Sequence, residues 1–145
     1  MDERIWKLAQ RRLGYTDEEL ALFKDDPRNA DVLSKGAALM DMTIVVEVVK
    51  AHGCNSRHKV GDRFYFDGAG NLLTELGPKK ICVHVLSAAA TLIFAANELL
   101  YAGVDPNEMR FNRADCLDVG LQCGGWGRVV MEIRVQDRED PSARA

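Results

Sequence analysis

The first part of the chain has the hydrophobic spacing of short amphipathic helices. Apolar residues recur every three or four positions from Ile5 onward, and Gly14 marks the first stop. Thr16 and Glu19 then have the spacing of a capping box, which marks the start of a second helix. The pattern predicts a helical arm of two or three short pieces over residues 1–36.

The pattern changes from helical to extended near residue 42. Residues 43–49 are rich in β-branched side chains, which predicts a strand buried on both faces. A short strand is predicted over residues 63–66, and a long apolar helix over residues 81–102. Apolar and polar residues alternate over residues 128–136, as expected for a half-buried terminal strand.

These elements together predict an α+β fold. We expect a small, mostly antiparallel sheet or partial barrel packed on one long helix, with the N-terminal helical arm beside it. The α+β module spans residues 42–136, with residues 72–76 as a return strand or a short turn. Residues 137–145 are charged, and we expect them to form a frayed tail. The amphipathic arm is a candidate surface for a homodimer or for a protein partner.

Composition narrows the possible classes of function. The 145 residues include 19 Lys and Arg and 22 Asp and Glu, so the net charge is −3. A nucleic-acid-binding protein needs a basic face, so this balance argues against one. The N-terminus lacks a secretory pattern. The longest apolar run, residues 81–96, falls short of the roughly 20 residues of a bilayer span. We therefore expect no membrane segment and a cytoplasmic location.

All four cysteines lie in the predicted α+β module. Cys54 follows the first strand, Cys82 lies in the first turn of the long helix, and Cys116 and Cys123 share a glycine-rich loop. Their spacing is neither the CxxC of zinc ribbons nor the cysteine run of bacterial ferredoxins. Their position at loops and at a helix end predicts a metal site for zinc or an iron–sulfur cluster, with His58 as a reserve ligand or in the second coordination shell.

Two other interpretations remain open. In the first, the protein is a small enzyme in which Cys82 or Cys54 supplies a thiolate. For Cys82, the free N–H groups at the helix start would lower the thiol pKa. His58 would then be the acid/base, and Trp126 would cover the pocket. In the second, the thiols are inert and the chain is an interaction module.

Several polar residues near the cysteines allow both a structural and a chemical role. Asp115 and Asp118 flank Cys116, where they fit either turn capping or acid/base work. His84 is as compatible with a buried, hydrogen-bonded side chain as with a ligand. His52 is expected at the surface.

Three short segments carry a resemblance to a known family. They are Cys54 to Asp62 (Cys-Asn-Ser-Arg-His-Lys-Val-Gly-Asp), Ile81-Cys82 and Cys116-Leu117-Asp118. Residues 42–136 resemble a family of small uncharacterised proteins common in anaerobic bacteria and archaea, whose motifs are Cys-x-x-Gly-His-Lys-Val-Gly-Asp, Ile-Cys and Cys-Pro-Asp.

The arm and the Cys-Gly-Gly-Trp-Gly segment at 123–127 resemble a longer subgroup of that family. Arg57 stands where the motif has glycine, and Leu117 where it has proline. The resemblance implies a cysteine site rather than a reaction. A cytosolic metal-binding protein, as an accessory subunit of an anaerobic enzyme system, is the function expected first.

Overall fold

The computed structural model describes residues 1–138 and separates the chain into two compact units, Met1–Ala38 and a second unit that begins at Leu39. The first unit is helical, as predicted. Its helices are α1 (Glu3–Leu13), α2 (Asp17–Asp25) and α3 (Pro27–Ser34), and a short helix α4 (Gly36–Met40) crosses the boundary. Most of the predicted frayed tail, residues 139–145, lies outside the described residues.

The ends of the arm helices are set by local side-chain and backbone hydrogen bonds. Gly14 ends α1 in the left-handed conformation, with φ of 73°. Thr16 and Glu19 form the predicted capping box at the start of α2, so two otherwise unpaired N–H groups are satisfied. Asp26 caps α3, which has Pro27 in its first turn. Because these caps involve residues that are close in the sequence, the ends of the helices in this unit could be predicted from the sequence.

A small aromatic cluster holds the first unit together. The ring of Phe23 lies edge-on to Trp6, with centroids 6.0 Å apart, and to Tyr15, with centroids 5.5 Å apart. Lys24 lies above the Trp6 ring and also pairs with Glu3. The buried residues of α1 and α2 therefore form a core of their own.

The second unit is built on one antiparallel sheet. Its strands are β1 (Met42–His52), β2 (Arg63–Asp67), β3 (Arg113–Asp115) and β4 (Arg128–Asp137), in the order β2-β1-β4-β3. The sheet is open, so the alternative of a partial barrel is wrong. Two single-turn 3-10 helices, Pro106–Glu108 and Leu121–Cys123, lie in the connections on either side of β3. The predicted α+β fold is confirmed.

Strand β1 is central and is buried on both faces, as its β-branched sequence predicts. Residues 43–46 are all at most 1% exposed. Val46 pairs with Phe64 on β2 and with Ile133 on β4, so large apolar side chains from three strands lie side by side. This row forms the inner face of the sheet.

The long helix α5 (Val83–Ala102) covers this inner face. It begins two residues later than predicted, because Cys82 is the residue that precedes the first helical turn. Gly103 ends it in the left-handed conformation, as predicted. The buried face consists of Val85, Ala89, Ile93, Ala96 and Leu100. Leu92 and Leu99 of the same helix are half-buried.

Helix α5 is also the one helix in residues 1–138 that is long and apolar enough to cross a membrane. The core helix of a soluble protein has the same length and composition. Five side chains of α5 are buried in the unit that contains the sheet. The helix is therefore compatible with a soluble protein.

One element differs from the sequence predictions, and one open alternative is decided. Residues 72–76 form the short turn rather than the return strand: the N–H of Leu76 donates to the carbonyl of Leu73 over 3.2 Å, and Leu72 makes an isolated bridge to Phe66. Strand β3 was not predicted, because its three residues, Arg-Ala-Asp, have no alternating apolar pattern. It pairs with Glu132 to Val130 of β4 through the backbone. The strand brings the following Cys116 next to the start of β4.

The loop between β1 and β2 contains one strained residue. Arg57 has φ of 61°, and it is the one residue other than glycine with positive φ within residues 1–138. Its N–H donates to the carbonyl of Cys54 over 3.0 Å, which closes a tight turn. Glycine adopts this conformation without strain.

We expect Arg57→Gly to raise the free energy of unfolding by about 0.5–1 kcal/mol. Relief of left-handed strain contributes about 1–2 kcal/mol, and the flexibility of glycine in the unfolded chain offsets about 0.5–1 kcal/mol. Denaturant unfolding measures the difference. Asn55→Gly, two residues away and without positive φ, is the matched control and should destabilise. Equal effects of the two substitutions on the free energy of unfolding would contradict the interpretation that the backbone at Arg57 is strained.

Candidate functional site

Three cysteines from three separate parts of the second unit line one cavity of about 360 Å³. Cys54 follows β1, Cys82 precedes α5, and Cys116 follows β3. The volume lies within the range of small-molecule sites. The other lining residues are Asn55, Ser56, His84, Val85, Leu117, Asp118, Trp126, Gly127, Arg128 and Val129. The cavity is thus mostly apolar, with thiols as its main reactive groups.

Cys82 has the surroundings of a stabilised thiolate. Burial raises the pKa of its thiol, but hydrogen bonding from the Ser56 hydroxyl and from the backbone N–H groups of His84 and Val85 outweighs burial, and the net pKa is lowered. The two N–H groups belong to the first turn of α5, and that of Val85 also donates to the Cys82 carbonyl over 3.1 Å. The helix start therefore favours the charged form of this sulfur.

Cys54 is held in place by a close approach of two backbones. Gly53, with φ of 63°, packs so closely on the chain at Trp126 that an added Cβ atom would lie 2.6 Å from the Trp126 carbonyl oxygen. A Cβ atom added at Gly127 would likewise lie too close to the backbone of Gly53. Only glycine fits at both positions. This contact brings the loop that carries Cys54 next to the loop that precedes β4.

Cys116 is fixed by hydrogen bonds to β4 and to its own loop. Its backbone N–H donates to the carbonyl of Val129 over 2.8 Å, and its sulfur accepts the N–H of Val129 over 3.4 Å. The sulfur also lies 3.6 Å from the carbonyl oxygen of Asp118. The Cys116 thiol is thus oriented by the end of the sheet.

The predicted ligand set is only partly brought together. Cys123 is exposed at the end of the second 3-10 helix, and it does not line the cavity. His58 does not line it either. Within residues 1–138, no group of three or more His, Cys, Asp or Glu side chains has an arrangement that could hold a metal ion. Three of the five predicted ligands share the cavity.

The burial of His58 and of His84 is the reverse of what the sequence suggested. His58 is buried, with Nε2 3.3 Å from the backbone nitrogen of Cys82 and Nδ1 3.4 Å from a carboxylate oxygen of Asp62. His84, expected to be a buried residue or a ligand, is exposed and lines the cavity. His52 is exposed at the end of β1, as predicted. His84 is therefore the histidine available for proton transfer at this site.

Asp118 organises the glycine-rich loop. Its carboxylate accepts backbone N–H groups from Gly120 and Trp126 at 3.0 Å and from Gly127 at 2.9 Å. The bonds from Gly120 and Gly127 are the main reason that its pKa is lowered. A carboxylate held in its charged form by three donors caps a turn rather than donating protons. Of the two roles considered for Asp118, turn capping and acid/base catalysis, the geometry favours turn capping.

Asp115 and Arg128 form a two-pronged ion pair beside the cavity. The Arg128 guanidinium contacts the Asp115 carboxylate over 2.6 and 3.0 Å, and this hydrogen bonding lowers the pKa of Asp115. The pair leaves little unbalanced charge at the cavity wall. Trp126 lines the same cavity but is 75% exposed, so it lies at the edge and does not bury the site.

Ser56 and the cavity position of His84 were not identified from the sequence. Ser56 lies 26 residues before Cys82, and no local spacing connects the two. His84 is two residues after Cys82, which on a regular helix suggests different directions. Because Cys82 precedes the first turn, that argument does not apply, and both side chains reach one cavity.

No protein-family model, curated protein or solved structure matches this chain. The arrangement of thiols, hydrogen bonds and charges around the cavity therefore carries the functional argument.

We expect the loop around Asp118 to loosen in acid. Because its folded-state pKa lies below the ordinary value of 3.8, the stabilisation is complete above pH 3.8 and is lost as the pH falls through the folded-state pKa. Asp118→Asn should reduce amide protection at Gly120, Trp126 and Gly127 already at neutral pH, because one amide oxygen replaces two carboxylate oxygens. Nuclear magnetic resonance of these amides measures both effects.

The matched control is Asp25→Asn, an exposed carboxylate of the helical arm. It should leave protection of the loop unchanged. Equal protection in Asp118→Asn and the unaltered protein would contradict the role of Asp118.

Proposed function

We propose that this protein is a small thiol-dependent enzyme in which the Cys82 sulfur is the nucleophile. One observation carries the proposal: Cys82 lies on the wall of a cavity at the N-terminus of a 20-residue helix, beside the Ser56 hydroxyl. Nucleophilic cysteines occur in such partly exposed settings, where the thiolate is stabilised. The lowered pKa of Cys82 supports the same role.

The chemistry available to this site is attack on an electrophilic carbon. The Cys82 sulfur gives its electron pair to the carbon, a sulfur–carbon bond forms, and the bond to the leaving group breaks. The leaving group keeps that electron pair, and His84, on the same cavity wall, can supply a proton to it. His58, which the sequence favoured for this step, has both ring nitrogens engaged elsewhere.

The apolar part of the wall suits a small, weakly charged substrate. Val85, Val129 and the exposed Leu117 and Trp126 contribute apolar surface, and the Arg128 charge is balanced by Asp115. A strongly anionic substrate would find no unpaired cation in the lining among the described residues. The proposal therefore assigns a neutral electrophile to this cavity.

We expect iodoacetamide to modify Cys82 before the other thiols at pH 7. Sub-stoichiometric reagent forms the sulfur–carbon bond and releases iodide, and peptide mass spectrometry gives the rate at each cysteine. Ser56→Ala should lower the rate at which iodoacetamide modifies Cys82 by about two- to threefold. Losing a hydrogen bond of about 1 kcal/mol reduces the thiolate fraction, and the higher reactivity of a more basic thiolate offsets about half of that loss.

Asn55→Ala is the matched control, because Asn55 also lines the cavity but does not contribute to the lowered pKa of Cys82. Its Cys82 rate should equal that of the unaltered protein. A Cys82 that reacts no faster than the exposed Cys123 would overturn the proposal.

A second candidate is binding of a thiophilic metal ion or cluster. It is favoured by one specific observation, that Cys54, Cys82 and Cys116 come from three separate elements and share one cavity. Three thiolates and a fourth ligand are a common set for zinc. On this proposal the thiols draw together when the metal binds, and Cys123 and His58 are not ligands.

For that candidate we expect one zinc ion, or one iron–sulfur cluster with visible absorption, per chain after anaerobic purification. Serine at position 54, 82 or 116 should abolish binding. Cys123→Ser and His58→Gln, the controls, should retain it. Elemental analysis and the visible spectrum measure this. A protein without bound metal, whose thermal stability is unchanged by a chelator, would contradict metal binding.

A further inference from the structure

His58 connects two segments that lie 24 residues apart in the chain. Its side chain is 3% exposed, and its ring packs edge-on against Phe64, with centroids 5.3 Å apart. Nε2 accepts the backbone N–H of Cys82 over 3.3 Å. A buried histidine thus pairs with the residue that precedes α5, without lining the cavity.

The two hydrogen bonds of the ring define its tautomer. Because Nε2 accepts from Cys82, its proton must be on Nδ1, which lies 3.4 Å from the Asp62 carboxylate. The same carboxylate oxygen accepts the N–H of Lys59 over 3.1 Å. A neutral imidazole with its proton on Nδ1 satisfies every partner.

Asp62 is in turn tied to the central strand. Its backbone carbonyl accepts the N–H of Val48 over 2.8 Å, and the N–H of Gly61 donates to the Val48 carbonyl over 2.9 Å. Val48 belongs to β1 and is fully buried. A continuous series of hydrogen bonds therefore runs from β1 through Asp62 and His58 to the backbone of Cys82.

This series supplies an acceptor for the backbone N–H of Cys82. The residue before a helix needs an acceptor for its own N–H, because no helical carbonyl reaches it. Without that acceptor, the backbone at Cys82 is free to rotate away from Ser56 and from the first turn of α5. Such a rotation would weaken the hydrogen bonds from Ser56, His84 and Val85 that lower the pKa of the Cys82 thiol.

We propose that His58 is the positioning residue for Cys82, held in its tautomer by Asp62 and acting through the Cys82 N–H. The inference rests on the proposed function of Cys82. It assigns His58 a role in thiol reactivity other than those of ligand or acid/base. The sulfur and the imidazole do not exchange a proton, because the ring bonds the backbone of Cys82.

The test compares two polar substitutions of similar size. The side-chain amide of Gln reaches the position of Nε2, so His58→Gln can still accept from Cys82. The shorter Asn reaches the position of Nδ1, so His58→Asn can pair with Asp62 but not with Cys82. The probe is iodoacetamide, and the rate at Cys82 is divided by the rate at Cys54 in the same sample.

We expect His58→Gln to keep this ratio within about twofold of the unaltered protein and His58→Asn to lower it by about threefold or more. The pH profile for Cys82 should move to higher pH in His58→Asn only. Thermal unfolding of both variants is measured beside the rates, so that a general loss of structure is recognised by equal changes at Cys54 and Cys82.

Equal ratios in His58→Gln and His58→Asn would overturn the inference. If both variants unfold, Asp62→Ala tests the same series of hydrogen bonds at the residue that pairs with His58. An unchanged ratio of the Cys82 rate to the Cys54 rate in Asp62→Ala would also overturn the inference. Failure of the proposed function would look different, because Cys82 in the unaltered protein would then react no faster than Cys123.

Discussion

The antiparallel pairing of β1 with β4 is the constraint on which the second unit depends. It pairs Ile44 with Val135 and Val48 with Met131, and after a register shift between Val48 and Lys50 it pairs Lys50 with Val130 and His52 with Arg128. That register sets the apolar surface on which α5 packs. It also places the end of β1 beside the start of β4, where Gly53 and the backbone around Trp126 touch. The cavity exists because two loops must leave the sheet at this one point.

A second consequence of the pairing is that three segments far apart in the sequence become neighbours. The loop from Cys54 to Asp62 leaves β1 and returns to it at Val48, which fixes His58 under the start of α5. Cys116 follows β3 and contacts Val129 of β4. Residues far apart in sequence thus converge through backbone hydrogen bonds.

The sequence predicted the elements that have a local pattern of side chains or capped ends. Elements without such a pattern were predicted less well. Strand β1 and the capping box at Thr16 have local signatures, so both were found. Strand β3 pairs through its backbone and has none. Helix α5 is apolar on most sides, so periodicity could not separate Ala89 from Leu92 as the buried position. The shared position of Cys54, Cys82 and Cys116 followed from their place at element ends, whereas Cys123 is carried outward by a 3-10 turn.

The role of His58 illustrates why a site is harder to predict than a fold. A histidine beside a cysteine in a motif suggests direct chemistry between side chains, as a ligand or a base. Here the backbone N–H of Cys82 donates to the imidazole, and a backbone group leaves no mark on the sequence. Burial of the ring against Phe64 makes the bond rigid, and Asp62 fixes its direction. In the proposed role, His58 influences reactivity at Cys82 without lining the cavity.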